Sequence, residues 1–339
     1  MAWRYARWTV EHPLPFGATE RVGVGDPVRA GDIIASGSAL GDAVVVPGAR
    51  RLGIPASDLG SARRLATGAE VERGTVLART GRRFARASVA PIEGRLVHVT
   101  AGGDFLVAPV VGRWAARCTL DGEVTRSDAS VVTVEGSAWC LPGLAAYGPD
   151  AFGELTLAVD SPVDELAPTR LDVRLRGAIL VGGARMAAEA ITRAYACGVA
   201  GVVAGAAPAG GLRVVYGDEV TADGLPTRDD RPTVLCLIGF GTAPLPNEVF
   251  RPFVALAGSR AAIHTASARL FVFAPADAAT VGDPPAIVLA DDHSGVRPLD
   301  APGELGGVVR FASEVESDAL LTPAGAVPFA NVLPFDAHR

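Results

Sequence analysis

The sequence predicts a multi-domain α+β chain in three parts: a β-rich unit over 1–117, a β leader with an α/β domain over 118–280, and a small β-barrel over 281–339. Three observations carry that prediction. A short phrase is written twice, as "GDPVRAGDIIAS" at 25–36 and "GAEVERGTVLAR" at 68–79. Between 177 and 205 the hydrophobic pattern passes from a buried strand to a helical stripe and back to a strand. The last part reads as strands set around a G-x-x-G-x-V element, Gly303, Gly306 and Val308.

Bulk properties agree. A chain of 339 residues exceeds what one core normally serves. With 49% hydrophobic and 20% charged residues it belongs with packed globular proteins. The opening "MAWRYARWTV" has no long apolar run of the kind a secretory signal needs, and no stretch has the length of a membrane span, so a cytoplasmic protein is expected. Cys118, Cys140, Cys197 and Cys236 lie 22, 57 and 39 apart, which is neither a zinc pattern nor a disulfide framework. All 31 basic residues are arginine, and a GC-rich genome is the simplest cause. Their placement is uneven. Residues 1–117 hold 16 Arg against 10 acids, and 118–339 hold 15 against 27, so the two parts carry +6 and −12 and suggest different partners.

Both copies of the phrase have the form G-x-x-V-x-x-G-x-x-[IL]-A: a glycine turn, an inward Val, a second turn and a short strand. After the second copy comes "ASVAPIEGRLVHV" at 87–99, with an A-P-x-x-G-x-[LV] element. Together these resemble the half-barrels of the biotinyl/lipoyl-like barrel-sandwich hybrids over roughly 15–110. In carrier members of that family a lysine at the hairpin tip receives biotin or lipoate. Here the tip falls in "RTGRRFARA", with Arg79, Arg82, Arg83 and Arg86 and no lysine. An arginine stays protonated and is a poor nucleophile, so covalent biotin or lipoate is excluded and no cofactor is expected. The four arginines are the candidate partner-binding residues; the alternative is a solvated hairpin. Between the copies, Ser57 or Asp58 would cap a short helix running to Leu65.

In the middle part, "SVVTVEG" and "ELTLAVD" alternate as strands, with a Gly/Pro-rich loop between them. The run 177–183 reads as a buried strand, 184–198 as a helix with a stripe of Met186, Ala190, Ile191, Ala194 and Cys197 ending at Gly198, and 199–205 as a second buried strand. That is a βαβ unit with parallel strands. A second unit is expected from 233–241, through a helix around 246–257, to a strand near 269–275. Gly182, Gly183 and Arg185 in the first strand-to-helix turn, and Gly239, Gly241 and Thr242 in the second, are candidate anion-binding residues at the C-terminal sheet edge. Neither turn is a dinucleotide or P-loop motif.

Catalytic patterns are scarce. His12, His98, His264, His293 and His338 form no close metal pair, and Asp291, Asp292 and His293 read as a polar turn. The acids Asp218, Glu219, Asp223, Asp229 and Asp230 lack calcium-loop spacing and read as acidic loops. No metal site and no catalytic residue is nominated. The C-terminal element resembles a KOW-type SH3-like barrel, although only Arg297 and Arg310 lie near it among many acids. RNA binding needs several cations, so a protein-binding or packing barrel is expected there. Three roles stand open. The favoured one is a non-catalytic scaffold or adaptor subunit of a bacterial cytoplasmic assembly, with a protein partner. The others are a ligand-binding or catalytic subunit for a phosphate or carboxylate at the Gly-bearing turns, and a nucleic-acid-binding accessory protein.

Overall fold

The computed structural model describes residues 3–81, 85–216 and 231–281, together with the backbone of five short strands, Gly295–Pro298, Glu314–Glu316, Ala319–Thr322, Gly325–Pro328 and Val332–Phe335. It is a mixed α/β structure dominated by strands arranged in several sheets. Among the described residues no helix is long and apolar enough to cross a membrane.

The repeated phrase folds the same way twice, and each copy closes on its own partner segment. In the first, Gly25 and Gly31 donate their N–H groups to the carbonyls of Val124 and Cys118, both at 2.8 Å. In the second, Gly68 and Gly74 donate to Leu96 and Ala90 at 2.7 and 2.8 Å. The return bonds match as well, Val124 and Cys118 donating to Asp26 and Asp32, and Leu96 and Ala90 to Ala69 and Thr75. All four glycines have φ between 90° and 99°, a region open to glycine and strained for other residues. Val28 and Val71 are both buried, as are Ile34 and Leu77. The partner of the first copy is therefore "CTLDGEV" at 118–124, as "APIEGRL" at 90–96 is of the second. Gly122 and Gly94 are equivalent positions. A Cβ on either would sit 2.0 Å from a backbone carbonyl oxygen, of Glu135 and Ala108 respectively.

The connector between the copies is not the single capped helix expected. Two one-turn helices form, α1 (Ala49–Leu52) and α2 (Leu59–Ala62), with a 3-10 turn at Ala56–Asp58. Asp58 makes no side-chain cap, and the chain turns extended at Arg63, so nothing runs on to Leu65. Leu52, Leu59 and Ala62 drop into a small core with Leu77, Leu96 and Phe105.

The largest sheet has 13 strands and joins the first copy to the α/β part without a break. Arg4–Pro13 pairs antiparallel with Val131–Pro142 along its whole length, and Gly122–Asp128 pairs with the same strand's other edge. Beyond Arg269–Phe273 and Arg260–His264 comes the parallel portion, Ala151–Leu157, Ile179–Val181, Gly201–Ala207 and Thr233–Phe240. Ile179–Val181, Gly201–Ala207 and Thr233–Phe240 are buried almost throughout because helices and loops cover both faces, while Ala151–Leu157 leaves Glu154 exposed.

The first βαβ unit is present. α3 (Ala188–Cys197) starts later than the composition suggested, because Arg185–Met186 first adds a short parallel strand beside Glu165–Leu166. Its expected stripe is buried throughout, and Gly198 ends it at φ 72°. α4 (Ala209–Tyr216), which the pattern reading passed over, follows and packs on α3. The second unit is different from expectation. After α5 (Asn247–Leu256) the chain enters Arg260–His264, which runs antiparallel to Ala151–Leu157 and hairpins into Arg269–Phe273. The strand returns to the far side of the sheet, beyond Ala151–Leu157, so no second parallel crossover forms. Toward the C-terminus, Gly295–Pro298 pairs with Val332–Phe335, and the other three strands form an antiparallel meander. The expected G-x-x-G-x-V element at Gly303, Gly306 and Val308 lies outside the described residues, as do the acidic loops at Asp218–Asp230 and the turn at Asp291, Asp292 and His293.

Candidate functional site

The second copy ends in a two-stranded hairpin, Val76–Thr80 paired with Arg86–Val89, in which Thr80 faces Arg86 and Arg79 faces Ala87. Arg79 and Arg86 are exposed; Arg82 and Arg83 lie outside the described residues. The connector brings more arginines to the same hairpin. α1 packs on Arg86–Val89, where Arg51 Nε donates to the Ala87 carbonyl at 3.0 Å. The Arg86 guanidinium lies over Gly53, where a Cβ would sit 2.6 Å from its Nη1, a contact the flexible arginine can relieve by shifting. α2 packs on Val76–Thr80, and Arg64 N–H donates to the Leu77 carbonyl at 2.9 Å. Arg50, Arg64, Arg79 and Arg86 are thus exposed around one hairpin, and none forms an ion pair among the described residues. Sequence reading found the tip arginines but did not bring Arg50, Arg51 or Arg64 to them, because their proximity depends on how the connector folds.

The two Gly-bearing turns do meet. Arg185 Nη1 donates to Thr242 Oγ1 at 3.3 Å, with Glu165 Oε1 3.8 Å from its Nε. Their amides are engaged, however. Gly182 donates to Val203, Ala184 to Asp164, Gly241 to Ala207 and Ala243 to Ala184, all backbone carbonyls. Gly183, at φ 67°, is tight against the Asp164 carbonyl, where a Cβ would sit at 2.4 Å. The segments 160–166 and 241–246 fill this edge, with Leu245 N–H bonded to the Pro162 carbonyl.

An open cleft of about 550 Å³ lies at the opposite, N-terminal edge of the parallel strands. Its lining comes from residues just before those strands (Gly148–Asp150, Gly198–Ala200, Arg231), from the ends of two strands in the N-terminal part (His12, Pro13, Ala115–Arg117), and from the turn His264–Ala266. The floor is braced. Asp150 Oδ1 accepts the Thr265 N–H at 2.8 Å, and the Pro149 carbonyl accepts the hydroxyls of Thr265 and Thr233. Burial lifts the Asp150 carboxyl above the usual carboxylate range, against the opposing pull of His264 and the Thr265 bonds. Burial lowers the His264 imidazole, opposed by the nearby Asp150 charge. His264 Nδ1 is 2.7 Å from Ser267 Oγ.

His12 packs edge-on against His264, ring centroids 5.4 Å apart, and is 4% exposed. Its Nε2 accepts the Thr119 N–H at 3.0 Å, which places the proton on Nδ1, facing the Val132 carbonyl at 3.3 Å. Desolvation, aided by His264, pushes its pKa down to about 3. It is a neutral, satisfied core residue. The grouping of Asp150 with His264 is invisible to motif reading, since Thr265 and Asp150 are 115 positions apart. Among the described residues no cluster of three or more His, Cys, Asp or Glu is placed to hold a metal, and the four cysteines are buried and free. No protein-family model matches the chain, and no curated protein matches it.

Proposed function

We propose that the chain is a non-catalytic docking subunit that binds an acidic protein partner through the arginine face of its second-copy hairpin, on a barrel-sandwich-like scaffold that carries no prosthetic group. One observation supports this reading above others: Arg50, Arg64, Arg79 and Arg86 are exposed around one hairpin, and none forms an ion pair among the described residues. Like charges held close raise each other's energy, and an acidic surface would relieve that while speeding encounter. Residues 118–339, at −12, would repel a nucleic-acid backbone and tolerate a protein whose acidic patch is local. The C-terminal strands would then serve packing or a further protein contact.

The test is a native pull-down from the source cell, with wild-type chain beside a variant in which Arg50, Arg79 and Arg86 are changed to Ser. The expected result is a stoichiometric protein partner, with an acidic patch, that is lost in the variant. A partner retained at full yield by the variant, or a nucleic acid recovered in place of protein, would overturn the reading.

A further inference from the structure

The turn between the strands Arg260–His264 and Arg269–Phe273 sets an exposed hydroxyl against a buried base. Ser267 is exposed, His264 is 4% exposed, and Ser267 Oγ lies 2.7 Å from His264 Nδ1. The Glu11 backbone carbonyl also bonds to this ring. A carbonyl only accepts, whereas a hydroxyl does either. The tautomer that satisfies both partners therefore carries its proton toward Glu11 and leaves Nδ1 to accept from Ser267. Burial lowers the affinity of the imidazole for a proton, so the ring is neutral and able to accept one at neutral pH. A nucleophile bonded to a base that a third group orients is the arrangement that activates a serine.

The turn is held on several sides. Thr265 donates its N–H to Asp150 Oδ1 and its hydroxyl to the Pro149 carbonyl, while the Ala268 carbonyl accepts the Gly143 N–H at 2.7 Å. Among the described residues Ala268, at φ 48°, is the one non-glycine with a left-handed backbone. It directly follows Ser267, and backbone strain of this kind gathers at functional sites. Thr265 and Ala266, just before Ser267, line the cleft of about 550 Å³ together with His264. Much of the remaining wall is small and apolar, as at Ala115, Ala151 and Val199, and has room for a short acyl chain.

We infer that Ser267 is an acylation site, taking a short uncharged acyl group from an activated ester. The hydroxyl oxygen attacks the ester carbonyl, and its proton passes to His264 Nδ1. The bond from the carbonyl carbon to the leaving oxygen then breaks. His264 returns the proton to that oxygen, giving a free alcohol and an acyl ester on Ser267. The transfer happens once per chain, so it adds a group to the docking subunit without turnover. It also lies on a different sheet from the arginine hairpin.

The experiment incubates the full chain with p-nitrophenyl butyrate and locates the adduct by intact-mass and peptide mass spectrometry. The chain has no lysine, so the usual competing acyl acceptor is absent. Ser61 gives an internal comparison: it is exposed, but its hydroxyl donates to the Asp58 carbonyl, which cannot take a proton. Butyryl should appear on Ser267 on the order of 10²-fold faster than on Ser61, the usual contribution of a positioned base. Ser267→Ala should abolish that adduct, and His264→Gln should slow it by a similar factor at an unchanged unfolding midpoint. Should His264→Gln fail to fold, the ratio of Ser267 to Ser61 labelling in the wild-type chain decides alone. Equal labelling of the two serines, a folded His264→Gln variant that reacts at the wild-type rate, or no adduct at Ser267 would overturn the inference.

Discussion

The two copies of the glycine phrase share a backbone and divide the work. Each uses two left-handed glycines, one buried Val, and a partner strand that bonds in the same four places. Even the side-chain brace is equivalent in position though different in kind. Asp32 Oδ2 accepts the Arg29 N–H at 2.8 Å, and Thr75 Oγ1 accepts the Glu72 N–H at 3.0 Å. What differs is the far end of the hairpin. In the first copy, Ile33–Leu40 pairs with Val110–Arg117, and everything from 41 to 109, including the second copy, is inserted between them. Its partner segment then enters the 13-stranded sheet. In the second copy the tip is a few residues long, and its partner belongs to a separate four-stranded sheet. One copy is built into the large sheet, and the other leaves exposed arginines around its hairpin.

That comparison breaks most visibly at Gly94 and Gly122. Either one changed to Ala would drive a Cβ into a backbone carbonyl that cannot rotate aside, at a cost of roughly 3 kcal/mol. Urea unfolding of the two variants should show similar losses; a tolerated substitution at one site alone would end the equivalence.

Acid should separate the copies next. His12 is buried beneath the first copy's partner at Thr119, and the second copy's His98 is exposed. A histidine with a lowered folded-state pKa favours the native state fully above its unfolded value near 6.5. As pH falls from there toward about 3, the unfolded chain takes up a proton that the native chain refuses. The loss is about 1.4 kcal/mol per pH unit. Unfolding measured between pH 7 and pH 5 should show this slope, and His12→Leu should flatten it. Hydrogen exchange should quicken first in the strand Arg4–Pro13 and its partner, not in the hairpin Val76–Val89.

The smallest effect sharpens the comparison. Gly31 and Gly74 have φ of 99° and 92° with open space where a Cβ would go. Ala at either should cost only the backbone strain, about 1–2 kcal/mol, and equally in thermal unfolding. A larger loss at Gly31 would mean that the Arg117 bond to its carbonyl depends on the turn geometry.

Much of this division was legible and part was not. The repeat was readable because glycines at fixed spacing are demanded by backbone geometry, and the α3 stripe because burial imposes helical spacing. The first copy's partner was missed because "CTLDGEV" and "APIEGRL" share little beyond the glycine that a crossing strand requires. The antiparallel return of Arg260–His264 was unreadable because strand direction is decided by where the chain re-enters the sheet. The cleft was unreadable for a similar reason: Arg117, Asp150 and His264 are ordinary residues until three strand ends meet.

The most direct test of the central claim removes equal charge from the two copies. In one variant Arg50, Arg79 and Arg86 become Ser; in the other Arg21, Arg29 and Arg113, all in or beside the first copy, become Ser. Binding of fluorescent polyglutamate to each is read by anisotropy, alongside its unfolding midpoint. The account predicts that both variants keep their midpoint within about 0.5 kcal/mol and that only the hairpin variant loses binding. Equal losses in the two variants would contradict it, because binding would then follow net charge and not the arginines around the second-copy hairpin.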